Sequence, residues 1–173
     1  ENPTSSLVTV RCSPWNYRDK ILMMGDASHA IVPFYGQGMN SGFEDCSVFN
    51  ELFEKNKRDW NKSFEEFSKT RKKDADAISN LAIQNFVEMR DKVADKSFLL
   101  RKKIEKKIYE NHPTKWMPLY SQVTFSHIPY SEALAAGKRQ EKIMDKIMAN
   151  PNIEKIWDSE EIENEILALA NEV

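Results

Sequence analysis

The stretch that decides the fold is Gly25-Asp26-Ala27-Ser28-His29-Ala30-Ile31-Val32-Pro33-Phe34-Tyr35-Gly36-Gln37-Gly38-Met39-Asn40-Ser41-Gly42-Phe43-Glu44-Asp45-Cys46. It follows Lys20-Ile21-Leu22-Met23-Met24, a short apolar run that reads as a strand buried on both faces. A carboxylate placed directly after such a strand and a glycine sits where the carboxyl edge of an α/β sheet meets ligands. Ionised Asp26 can there accept strong hydrogen bonds from sugar-type hydroxyls, although taken alone it reads equally well as a turn or helix-cap residue. Gly36 and Gly38 let backbone approach a flat or phosphorylated ligand closely. From Met39 onward Phe43, Cys46, Phe49, Leu52 and Phe53 recur at spacings of three and four, the period of a helix whose free N–H groups point back into the loop. Glu44 and Asp45 are expected in its first turn, where the helix dipole favours acids.

Upstream, residues 6–11 alternate polar and apolar with β-branched enrichment and predict a half-buried strand, followed by a turn at 13–16. Two strands alone are marginal, so this sheet needs further strands. Downstream the signal is nearly all helical. Trp60, Phe64, Phe67 and the stretch 71–89 predict one extended helix or two with a kink, and a further helix covers about 95–111, ended by His112-Pro113-Thr114. Residues 115–130 read as aromatic and irregular between Pro118 and Pro129, and helices are expected at about 131–149 and 159–171. The fragment is thus predicted to be mostly α, with the last strands of an α/β sheet followed by a helical region.

Composition supports one special loop in a helical chain. The 173 residues are 40% hydrophobic and 30% charged but hold only 5 glycines, four of them between residues 25 and 42, where average usage would give roughly 12. Twenty-five basic against 27 acidic residues leave a net charge of -2, so no global field favours nucleic acid or anionic lipid. Cys12 and Cys46 make neither a disulfide framework nor a metal site, and no apolar run approaches the roughly 20 residues that span a bilayer. A reduced, soluble, cytoplasmic protein is expected, with no membrane partner. The chain opens at Glu1-Asn2-Pro3 without a Met, which predicts a portion of something longer.

Taken together, Gly25-Asp26-Ala27-x-His29-Ala30, Pro33-Phe34-x-Gly36-Gln37-Gly38-Met39-Asn40 and Gly42-Phe43-Glu44-Asp45-Cys46 resemble the second flavin-binding motif of the single-component aromatic hydroxylases that use FAD, and more narrowly the branch that hydroxylates kynurenine. Gln84-Asn85-Phe86-Val87-Glu88-Met89-Arg90 and 118–126, Pro-Leu-Tyr-Ser-Gln-Val-Thr-Phe-Ser, also resemble segments of those enzymes, so the likeness covers about 5–139. It implies an α/β, Rossmann-like FAD-binding fold in the intact enzyme. Asp26 would bind the ribityl chain. Pro33, Gly36, Gly38, Met39 and Asn40 would border the flavin, the backbone N–H groups of the last three facing its pyrimidine edge. Phe34 and Gln37, with Pro33, would line the space of the substrate ring. Asn85 and Tyr120 would hold the carboxylate of an aromatic amino acid, L-kynurenine, with Met89 one helical turn beyond Asn85 facing the same pocket. NADPH would be the co-substrate, and no side chain would act as nucleophile or metal ligand. By pattern alone, Asn85 reads as a surface helix residue and Tyr120 as a core aromatic.

Two parts of such an enzyme are not in this sequence. No Gly-x-Gly-x-x-Gly occurs in it, and that fingerprint normally holds the FAD pyrophosphate. Nor can the family's usual substrate-binding arginine be assigned. The chain is therefore expected to be a carboxyl-terminal portion, inactive alone and partnered by the missing amino-terminal portion. Residues 1–56 would end the FAD-binding domain, 57–150 would form a helical region adding to the substrate pocket, and 151–173 an acidic tail helix. His29 reads as a structural histidine satisfied by backbone. The run Arg101-Lys102-Lys103-Ile104-Glu105-Lys106-Lys107 reads as a solvated helix face with Ile104 and Ile108 inward. The alternatives are a hydroxylase of the same fold acting on another aromatic acid, and a non-enzymatic helical interaction module that keeps a decayed flavin loop.

Overall fold

A computed structural model describes residues 3–171. The elements run β1 (Asn16–Tyr17), β2 (Ile21–Leu22), α1 (Asp26–His29), α2 (Gly38–Lys55), α3 (Trp60–Asp91), α4 (Lys96–Asn111), α5 (Leu119–Phe125), α6 (Tyr130–Met148), α7 (Ile153–Ile156) and α8 (Glu160–Asn171). The chain divides into two compact units, Glu1–Phe86 and Val87–Val173.

In the first unit β1 and β2 form a small antiparallel hairpin pairing Asn16 with Leu22 and Tyr17 with Ile21. Its core gathers Trp15, Phe67 and Ala75, with Leu22, Met23, Met24, Val48, Phe49 and Leu52 packed around them. Phe67 is fully buried. It meets Trp15 with ring centroids 6.0 Å apart and Phe49 edge-on at 5.8 Å, so α2 and α3 share one aromatic seam beneath the hairpin.

The strands differ from expectation. Residues 6–11 form no strand: Leu7 and Val8 are each 63% exposed, and the segment is tied to its surroundings by a bond from Val10 N–H to the Ala30 carbonyl. The second strand is two residues long and Ile21 is exposed, not buried on both faces. A strand needs a neighbour that pairs with it along a ladder, and among the described residues 6–11 joins no sheet, the single bond to Ala30 being too little to form one. The turn also falls later than expected, at 18–20, with Arg18 at φ 51°.

Helices follow their periodicity more closely. The long pattern forms one unbroken helix of 32 residues, α3. α4 starts after Asp95, whose side chain accepts the Phe98 N–H and so caps it. In the second unit Ile104 and Ile108 are buried and join Trp116, Ile143, Met144, Ile147, Ile153, Ile162 and Ile166 in one core, so the basic run is indeed an outward face. The segment expected to be irregular contains α5, with Pro118 as its N-cap and Pro129 as the N-cap of α6. α5 and α6 cross so closely that a Cβ on Gly137 would stand 2.6 Å from Leu119 Cδ2. The tail helix α8 is anchored through Glu163, which lies 2.6 Å from His112 Nε2 and accepts from Asn111 at 3.0 Å. The His112 hydrogen bond holds the Glu163 carboxyl below its ordinary range. No helix among the described residues is long and apolar enough to cross a membrane.

Candidate functional site

The glycine-rich loop is built by two left-handed glycines and a turn. Gly25, at φ 56°, follows the hairpin as the N-cap of α1, and its carbonyl accepts the N–H groups of Ser28 and His29. Gly36, at φ 69°, closes a turn by donating its N–H to the Pro33 carbonyl at 3.2 Å. A side chain at either would be strained by about 1–2 kcal/mol. Gln37 then occupies the N-cap of α2 without capping it through its side chain. Its amide oxygen instead takes the Asn40 side-chain N–H at 3.0 Å. The backbone N–H groups of Gly38, Met39 and Asn40 thus belong to an uncapped first turn with a partial positive charge. A Cβ built on Gly36 or Gly38 would meet nothing within 4 Å, so the packing of this chain does not itself require a glycine at helical Gly38.

The sequence-predicted residues of the first unit converge on this loop. Asp26, Met39 and Asn40 are exposed, Gln37 is buried and Phe34 half-buried. Asn85, on α3, is half-buried and donates its Nδ2 to the Phe34 carbonyl at 2.5 Å, and the neighbouring Phe86 packs on the Phe34 ring at 4.5 Å. Residues 51 positions apart therefore form one wall, which the surface reading of Asn85 does not anticipate. Met89 is exposed near the end of α3. In the second unit Tyr120 lies on α5, 52% exposed and edge-on to Phe125 at 6.2 Å, so it is no core aromatic. A separate cleft of about 560 Å³ in that unit, lined by Trp116, Met117, Gln122, Arg139 and Gln140 among others, contains no predicted site residue.

Behind the loop lies a buried polar cluster that the sequence reading missed. Asp45 is fully buried in α2 and is not in the first turn, so it does not serve the helix dipole. One carboxylate oxygen accepts the Gly25 N–H at 2.8 Å and lies 2.6 Å from His29 Nε2. The other takes Arg71 Nε at 2.7 Å. Arg71, 3% exposed, extends to the Ser41 carbonyl and hydroxyl at 3.2 and 3.3 Å and to Glu44 at 2.7 Å. His29 is buried, but its partner is this carboxylate and not the expected backbone; its ring also lies 5.4 Å from that of Trp15. A signal for the cluster was present. Arg71 interrupts the inward stripe Phe64, Phe67, Ala75, Ile78 of α3, and a charge on such a stripe requires a buried partner.

Burial alone would raise the Asp45 pKa, but the hydrogen bonds from His29, Arg71 and Gly25 outweigh it and hold the carboxyl below 3.8. A group with a lowered native pKa contributes stability that is complete above its unfolded value and disappears as pH falls through the native one. The protein is therefore expected to lose stability as pH drops below about 4. Asp45→Asn should flatten that slope in thermal melts recorded from pH 6 down to 3, and an unaltered slope would remove Asp45 from the acid response.

Residues 7–74, which hold the hairpin, the glycine loop and the first turns of α2, match the family model described as FAD binding domain. Over nearly its whole length the chain is similar to kynurenine 3-monooxygenases. It is 58% identical to that of Flavobacterium johnsoniae over 169 residues, covering 98% of this chain and 38% of the relative. It is 57% identical to that of Christiangramia forsetii with the same coverage, and 46% identical to that of Anopheles gambiae over 87% of this chain and 31% of the relative. The likeness to kynurenine 3-monooxygenases runs over nearly the whole of this chain, which spans less than two fifths of the length of these relatives.

Proposed function

We propose that the chain is the carboxyl-terminal portion of an FAD-dependent monooxygenase that hydroxylates L-kynurenine at ring carbon 3 with NADPH and molecular oxygen. Residues 1–56 would complete the FAD-binding domain, residues 57–150 would add to the substrate pocket, and 151–173 would form the tail. The observation that carries this reading is the wall formed by Asn85, Phe86 and Phe34, which joins the segment proposed for the flavin to the helix proposed for the substrate.

The loop fits FAD on its own chemistry: open space at Gly36 and Gly38, an uncapped N-terminus on an 18-residue helix, and an exposed carboxylate, Asp26, directly after Gly25. Asp26 would accept hydrogen bonds from the ribityl hydroxyls, and Pro33 and Gly36 would border the ring. The N–H groups of Gly38, Met39 and Asn40 would face the pyrimidine edge, where the helix dipole favours negative charge. When bound, FAD would accept electrons from NADPH and activate oxygen. Phe34 and Gln37 would flank the substrate ring and keep water from it, while Asn85 and Tyr120 would donate to the substrate carboxylate and Met89 would face the same space.

The full-length protein carrying this chain should oxidise NADPH and form hydroxylated kynurenine, whereas the 173-residue chain alone should show no turnover in the same assay. Turnover by the isolated chain would refute the proposal that it is only a portion. Hydroxylation of a different aromatic acid would favour a hydroxylase of the same fold and other specificity. Gly38→Ala tests the loop. In the FAD-free full-length protein it should leave stability unchanged or raise it by up to about 1 kcal/mol, since Ala is the better helix former. FAD affinity should fall by roughly tenfold or more, because the new methyl stands where backbone must approach the ligand. Equal FAD binding by the variant would displace the cofactor from Gly38.

A further inference from the structure

We propose that Asp45 is a positioning residue for the flavin loop, setting the distance between the segment that carries Asp26 and the first turn of α2. This rests on the reading that the loop takes FAD. Asp26 and Gly38 are separated by an irregular stretch, residues 30–37, containing a turn at 33–34 and no regular element. Such a stretch cannot by itself fix two binding elements relative to each other. The Asp45 carboxylate does so from behind. It holds the backbone N–H of Gly25, the residue preceding Asp26, and the side chain of His29, at the end of α1.

Through Arg71 the same carboxylate is tied to the Ser41 carbonyl, three residues after Gly38. The Trp15 ring lies beside His29, and a Cβ on Gly42 would stand 3.7 Å from the Gly25 Cα, so backbone meets backbone between the two segments. An ion pair serving only to neutralise buried charge would need no main-chain ends. This one terminates on two main-chain atoms, each next to or within one turn of a proposed flavin contact. Glu44, the other carboxylate on Arg71, is 42% exposed and belongs to α2, so its bond ties Arg71 to that helix alone.

The test uses the full-length protein stripped of FAD, with dissociation constants read from flavin fluorescence and the bound flavin read by visible circular dichroism. Asp45→Asn takes the charge from the hydrogen bonds that hold Gly25 and, through Arg71, Ser41, so it is expected to weaken FAD binding by roughly tenfold or more and to change the flavin dichroism. His29→Gln, which keeps a donor at the position of Nε2, should retain most of the affinity that His29→Ala loses. A folded Asp45→Asn protein with wild-type affinity and dichroism overturns the proposal. Where Asp45→Asn does not fold, Arg71→Lys, which keeps the charge and loses the reach to Ser41, is read in the same way. If neither folds even with excess FAD, Asp45 is a folding determinant and the proposal falls. Wild-type protein that fails to bind FAD would instead overturn the proposed function, so the two failures are distinct.

Discussion

Arg71→Met is expected to lower the unfolding free energy of the full-length protein by about 3–5 kcal/mol, the range for removing one partner of a buried ion pair. Methionine replaces the aliphatic stem of Arg71 but withdraws the cation from Asp45, which stays fully buried with only His29 and the Gly25 N–H to face it. Two further acceptors in the cluster, the Ser41 carbonyl and hydroxyl, lose the guanidinium as a donor as well. The double variant Asp45→Asn, Arg71→Met should be less destabilised than the sum of the two single changes by at least about 1 kcal/mol, because the second substitution removes the charge that the first left unpaired. Urea denaturation checks both statements. A loss below about 1 kcal/mol for Arg71→Met would show that water reaches the pair and that it behaves as a surface contact.

In the same protein, Tyr120→Phe and Asn85→Ala are each expected to raise the Michaelis constant for kynurenine by about 10- to 100-fold, the equivalent of one hydrogen bond to a charged group. Tyr120→Phe is the cleaner change, since the ring and its edge-on contact with Phe125 remain. Asn85→Ala also removes the bond to the Phe34 carbonyl, so it should lower the turnover number too, as the loop loses its tie to α3. Steady-state kinetics with varied kynurenine separates the two effects. An unchanged Michaelis constant in both variants would detach these residues from the carboxylate and favour a different aromatic acid.

The helices and the glycine loop were legible because both are local. The three-and-four spacing of Phe43, Cys46, Phe49 and Leu52 needs no distant partner to be recognised, and α2 and α3 form where it predicts. The strand at 6–11 failed for the opposite reason: its pairing is non-local and no neighbouring strand is among the described residues. α5 was missed although its signal was present, since Pro118 and Pro129 were read as brackets of a loop when each stands at the entrance of a helix. Asp45 was misread because an acid near a helix start has a ready local explanation. Its true partner lies 26 residues away, on a stripe whose one charged member was the available clue.

The contact between Arg71 and Asp45 bears on how this motif can be transplanted. The recognisable string ends at Cys46, yet the cation beneath it sits on the next helix, and Asn85, which closes on the loop at Phe34, lies further along that helix still. A chimera cut at the end of α2 would carry the complete signature and leave its carboxylate buried without a counter-charge. The smallest exchangeable cassette therefore extends through residue 86, where the first compact unit ends, and sequence swaps that respect the visible motif boundary would graft a loop without its support.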